Sequence, residues 1–97
     1  MSEFSVVLAP AAESDIEEAF HWYQGRDAAA ADAFRAEALD AIDRLAVDAM
    51  RWRVDASGNR RRLLKHFPYS VWFEVEADTV TILAVAHHRR LPGYWRI

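Results

Sequence analysis

The apolar residues of this 97-residue chain change their period once, near Met50, and that change restricts the possible folds more than any other feature. Before it they recur at helical spacing. Ile16, Ala19, Phe20 and Tyr23 follow the i, i+3, i+4, i+7 rule, and Glu13, Asp15, Glu17 and Glu18 crowd the early turns, where the helix dipole favours negative charge. A helix is therefore predicted over Ala11–Gln24, ended by Gly25, with Asp27 placed to cap the next helix. Ala28 to Met50 contains no glycine or proline and is dense in alanine, the best helix former. Its stripe of Ala31, Phe34, Ala38, Ala41, Ile42, Leu45 and Ala49 lets the two helices approach closely as an antiparallel hairpin, with Phe34, Ile42 and Leu45 reaching toward a sheet. Ahead of both helices, Phe4–Leu8 is a short β-branched run closed by Pro10, as suits a first strand.

After Arg51 the pattern alternates. Ala56-Ser-Gly-Asn59 signals a turn, Arg60–Phe67 reads as a strand, Pro68 punctuates, Tyr69–Glu76 is the next strand, and Ala77-Asp78 leads tightly into Val80–His87. Three strands joined by short links form an antiparallel meander, and helices segregated ahead of strands give an α+β fold of order β-α-α-β-β-β; the position of the first strand in the sheet stays open. One face of the sheet, with Val71, Phe73 and Val75, is expected to pack on the helices. The other is expected to carry Trp72, Leu83 and Val85, with too little chain left to cover them, so a protein partner is expected there.

Length and composition agree with one domain over residues 1–97. The hydrophobic fraction is 53% with 12% aromatic, too rich for a disordered chain, and the length suits a single core. No cysteine is present, so disulfides and thiolate metal sites are excluded, and the four histidines form no ligand motif; His21 lies on a helix among acidic neighbours. No cofactor-binding motif stands out. The first ten residues lack a basic start and apolar core, and no run nears the roughly 18 apolar residues of a membrane span, which points to a cytoplasmic protein without membrane contact. The net charge of −3 conceals a division: residues 1–50 hold three basic residues against eleven acidic, residues 51–97 nine against four. The resulting local positive field suits a phosphate backbone or an acidic protein partner, although two differently charged solvated faces would produce the same count.

Three segments carry a family resemblance. Arg62-Leu-Leu-Lys-His-Phe-Pro-Tyr69, Val71-Trp-Phe-Glu-Val75 and Ile82-Leu-Ala-Val-Ala-His-His-Arg-Arg-Leu-Pro-Gly-Tyr-Trp-Arg96 closely resemble the RelE/ParE toxins of type II toxin–antitoxin systems, plasmid stabilisation proteins among them. In that family an arginine-led strand enters a Phe-Pro-Tyr corner, and the last strand ends in histidine and paired arginines before Pro-x-Tyr-Trp. Leu8-Ala-Pro-Ala-Ala-Glu-Ser-Asp-Ile16 resembles the family's approach to its first helix, so the likeness spans essentially the whole chain. Met50-Arg-Trp-Arg-Val54 departs from the pattern by lacking the proline often found after the second helix.

The resemblance implies a toxin, but family members attack different targets. RelE-like members cut messenger RNA on the ribosome; ParE-like members poison DNA gyrase. Cutting RNA needs an activated 2′-hydroxyl, a proton donor for the leaving oxygen and cations over the phosphate. Were the chain such a nuclease, Arg62, Lys65, His87, Arg90 and Tyr94 would carry the chemistry. The nuclease branch typically places an arginine directly after the aromatic that opens the third strand, where this chain has Ser70. A hydroxyl cannot supply that charge. The reading adopted is a ParE-like, non-nucleolytic gyrase inhibitor, with the ribosome-dependent endoribonuclease and a non-toxic antitoxin-binding remnant as alternatives. Arg89, Arg90, Tyr94, Trp95 and Arg96 are then the expected target-binding surface. Arg61, Trp72, Leu83 and Val85 are expected to bind a ParD-like or similar antitoxin through its acidic, amphipathic C-terminal segment in a hetero-oligomer. Plainer roles compete: His87 and His88 for hydrogen bonding or exposure, Pro68-Tyr69 for shaping the corner, and Arg61 and Arg62 on opposite faces, one of them paired with a helix carboxylate.

Overall fold

Pro10 opens the first helix because its fixed φ suits the first helical position and its missing N–H is not needed there. In the computed structural model, which describes residues 3–90, the elements are β1 (Ser5–Leu8), α1 (Pro10–Gln24), α2 (Ala28–Asp48), a 3-10 turn (Ala49–Arg51), β2 (Arg60–Leu63), β3 (Tyr69–Glu76) and β4 (Thr79–His87). The expected α+β order is observed. Between the helices, the backbone N–H groups of Arg26 and Asp27 both return to the Tyr23 carbonyl, at 2.8 and 2.7 Å. The Asp27 carboxylate then caps α2 by accepting from Ala29 N–H at 2.9 Å and Ala30 N–H at 3.4 Å. The second helix stops two residues short of Met50 and tightens into the 3-10 turn.

The sheet order is β1-β4-β3-β2. The expected antiparallel meander of β2, β3 and β4 is present, and β1 joins it at the far edge, parallel to β4, with Leu8 opposite Ile82. Both helices cover one face. Ala12, Ile16 and Ala19 of α1 and Ala31 and Ala38 of α2 are buried small or branched residues that let the hairpin close. Phe34, Ile42 and Leu45 meet Val71, Phe73, Val80 and Ile82 in the core. Among the described residues no helix is long and apolar enough to cross a membrane.

Two sequence expectations fail for identifiable reasons. The second strand is expected to reach Phe67 but ends at Leu63: Leu64 N–H still bonds across to the Tyr69 carbonyl at 2.9 Å, and beyond it Glu37 of α2 takes the N–H groups of Lys65 and His66. Val85 was expected on the face away from the helices. It is instead 2% exposed inside the helix-side core. Trp72 faces Ala84 and Phe73 faces Ile82, so Leu83 is an extra residue in β4, a β-bulge that reverses the parity beyond it. Before the bulge Val80 and Ile82 point to the helices; after it Val85 does, while Ala84 and Ala86 cluster with Trp72.

Candidate functional site

Two clefts divide the residues that the sequence singles out. The larger, about 600 Å³, opens where β4 ends, walled by Trp22 and Tyr23 of α1, the Pro68–Tyr69 corner, and His87 and Arg90. Its floor depends on Asp15. Since β1 stops at Leu8, the β4 edge beyond Ile82 has no neighbouring strand among the described residues, and the nearly buried Asp15 carboxylate accepts the Val85 N–H at 2.9 Å. Asp15 occupies a helical-spacing position among Ala12, Ile16 and Ala19. By sequence Asp15 is one of the early-turn acids favoured by the helix dipole; the signal for its separate role is a carboxylate on an otherwise apolar helix face.

Aromatic rings form the cleft wall. Tyr69 meets His87 edge-on at 5.2 Å between centroids and lies 6.3 Å from Tyr23. Burial raises the Tyr69 hydroxyl above its ordinary value of 10.0, and neighbouring Tyr23 and Asp15 raise it further; burial alone raises Tyr23. Both phenols therefore stay protonated at neutral pH. The His87 Nδ1 accepts the Arg89 N–H at 3.1 Å, so in the neutral ring the proton sits on Nε2. His88 N–H bonds to the Pro68 carbonyl and Arg90 N–H to that of His87, each at 2.9 Å, which folds His87–Arg90 into a turn with Arg89 and Arg90 exposed. Tyr94, Trp95 and Arg96 lie outside the described residues.

The second cleft, about 430 Å³, lies along β2 and the loop before it. The three arginines of β2 divide by parity, as alternation predicts. Arg60 and Arg62 turn toward the helices: Arg60 Nη1 donates to the Trp52 carbonyl, and Arg62 Nη1 donates to the Ala41 carbonyl at 3.2 Å and lies 3.6 Å from Asp48, with its guanidinium 4.9 Å from the Trp52 ring centre. Arg61 turns the other way and rests 5.4 Å above the Trp72 ring. The loop is organised by Asp55, whose Oδ1 accepts the Ser57 N–H, the Ser57 hydroxyl and the Asn59 N–H at 2.9, 2.6 and 3.0 Å, while Gly58 takes a φ of +88° that disfavours other residues. Two residues lining this cleft, Trp52 and Asn59, carry buried donors, Trp52 Nε1 and Asn59 Nδ2, that meet no acceptor among the described residues. Each such group costs about 1–3 kcal/mol, which is unusual enough to need a reason. By sequence Asn59 is marked only as part of a turn and Trp52 only as part of the connection after the second helix.

The sheet face away from the helices is not bare, contrary to expectation. Trp72 is 8% exposed, and Ser70, Ala84 and Ala86 beside it are buried. Leu83 is half-buried and outside the helix-side core. Exposed apolar surface is found at the rim instead, on Val54 and Leu63. Ser70, in the position the resemblance gives to arginine in nucleases, is 1% exposed and its hydroxyl has no partner among the described residues.

The residues proposed for RNA cleavage do not gather. Arg62 and Lys65 line a recess of about 290 Å³ against α2, whereas His87 and Arg90 line the large cleft. In that recess Glu37 Oε1 lies 2.6 Å from His66 Nδ1, and Oε2 accepts from the N–H groups of Lys65 and His66 at 2.6 and 3.1 Å. Partial burial pushes the Glu37 carboxyl up, but hydrogen bonds from the His66 ring and the two backbone amides, with the charge of His66, outweigh it and hold it below 4.5.

The described residues thus form a helical hairpin laid on a four-stranded mixed sheet, with an arginine-bearing edge strand and a histidine–arginine turn closing the last strand. The solved structure described as "Chromosomal ParDE TA system from P. aeruginosa" shares the fold, with a TM-score of 0.79 over 88% of this chain and 96% of that one at 18% identity. The family model of the ParE toxin of the type II toxin–antitoxin system parDE matches residues 6–92, and the chain belongs to that family. No curated protein matches it.

Proposed function

We propose that the chain is a ParE-like toxin that inhibits DNA gyrase, does not itself cut RNA, and is neutralised by a cognate antitoxin. The observation that carries this reading is the separation of the cleavage candidates: Arg62 and Lys65 face one recess, His87 and Arg90 another, and Ser70 is sealed in the sheet where a phosphate-binding arginine would be needed. Cations placed apart cannot converge on one pentacoordinate phosphate. Target contact falls instead to the exposed Arg89–Arg90 turn together with Tyr94, Trp95 and Arg96, which follow it in sequence, since arginine and aromatic side chains are the usual anchors of protein interfaces. The antitoxin is an acidic, amphipathic segment that orders on the toxin and meets Arg61 in a hetero-oligomer.

Induction of the chain without the neighbouring antitoxin gene tests this. Growth arrest with a DNA damage response and intact ribosome-bound mRNA is the expected result. Cleaved mRNA without damage would make the protein a RelE-like nuclease, and unimpaired growth would leave a remnant that only binds.

A further inference from the structure

We propose that the cleft beside β2 is a carboxylate-recognition site, built to receive an acidic side chain from an amphipathic protein segment. The inference rests on the antitoxin reading above and gives it a location. The residues lining the cleft are rich in donors and poor in free acceptors. Among the described residues Trp52 Nε1 and Asn59 Nδ2 are buried and unmet, and the Asn59 residue is 95% buried, at 5% exposure. Arg53 and Arg61 are exposed at the rim, and among the described residues neither pairs with a carboxylate. Asp55, the one acid lining the cleft, has its Oδ1 occupied by three local donors. A planar carboxylate supplies what is absent: negative charge for the guanidinium of Arg61, held over the Trp72 ring, and lone pairs for the two buried donors once the long arginine side chains swing aside.

The surroundings favour a peptide over a nucleic acid. The Trp72 ring is almost inaccessible and already lies under Arg61, so it cannot stack a base. The exposed rim residues Val54 and Leu63 call for apolar side chains rather than a sugar–phosphate chain. The first 50 residues hold eleven acids, and that charge repels a long polyanion more than a short segment held in one cleft.

The test uses the ¹⁵N-labelled full-length chain and an acetylated amphipathic peptide of glutamate and leucine. The Trp52 indole N–H and the Asn59 side-chain amide are expected to shift as the peptide is added, whereas the same peptide with glutamine for glutamate, and oligothymidylate, leave them in place. Arg61→Ala is expected to weaken binding by about tenfold or more, the loss of one charge-assisted hydrogen bond. Asn59→Ala is expected to weaken binding while keeping or raising the thermal midpoint, because it deletes an unmet donor. The proposal falls if the glutamine peptide acts equally, if oligothymidylate binds more tightly, if neither resonance moves, or if Asn59→Ala lowers the midpoint and leaves binding unchanged. Peptide binding by a chain that fails to arrest growth would remove the toxin reading alone; growth arrest with an unresponsive cleft would remove this one alone.

Discussion

Asp15 shows how one side chain can stand in for a missing strand. The parallel neighbour of β4 ends at Leu8, and without the Asp15 carboxylate the Val85 N–H would be buried in an aromatic cleft with nothing to accept it. Asp15→Ala is therefore expected to destabilise the fold by about 1.5–3 kcal/mol, the range for hydrogen bonds to charged groups, and Asp15→Asn by much less because its carbonyl oxygen still accepts. Urea denaturation of the two variants measures the difference; equal losses would show that charge, rather than acceptance, matters here. At this scale the sequence is informative where a rule is local. Alternation alone puts Arg61 and Arg62 on opposite faces, and Asp27 declares itself a cap by lying between two helical stretches. The sequence marks Asp15 only as a carboxylate on an apolar helix face and does not reveal the need that it answers 70 positions away at Val85.

Among the elements, the helices and the meander follow from periodicity, because each buries a face that its own spacing defines. The corner after β2 does not, since it is held by Glu37 from the middle of α2, 28 and 29 residues distant. Nor does the placement of β1, which depends on where the helical hairpin delivers the chain. The Glu37 tie gives the corner a pH dependence of definite sign. Its carboxyl is held below 4.5 in the folded protein, so its contribution is complete above that value and is lost as pH falls through the lowered one. The thermal midpoint of the native chain is thus expected to drop more steeply below about pH 4.5 than that of Glu37→Gln, whose neutral amide has no proton to gain. Parallel curves for the two proteins would remove the tie as a source of acid sensitivity.

For the molecule as a whole, the uneven charge gives a direction to encounter. The helical half carries the acids and the sheet half most of the arginines, so an acidic partner is drawn toward the strands and repelled by the hairpin. The turn at the end of β4 is the other exposed cationic feature. Arg89→Ala combined with Arg90→Ala is expected to abolish growth arrest while leaving the circular dichroism spectrum and thermal midpoint nearly unchanged, as both side chains are exposed beyond the last strand. Undiminished arrest in that double variant would move the target contact elsewhere on the surface.

The extra residue at Leu83 acts on the last strand as a frameshift acts on a message, since everything downstream is read from the opposite side. His87 shares an aromatic wall with Tyr69 only because of that inserted position. Deleting that one position would turn Val85 and His87 to the far side without altering a single letter of the segment that follows.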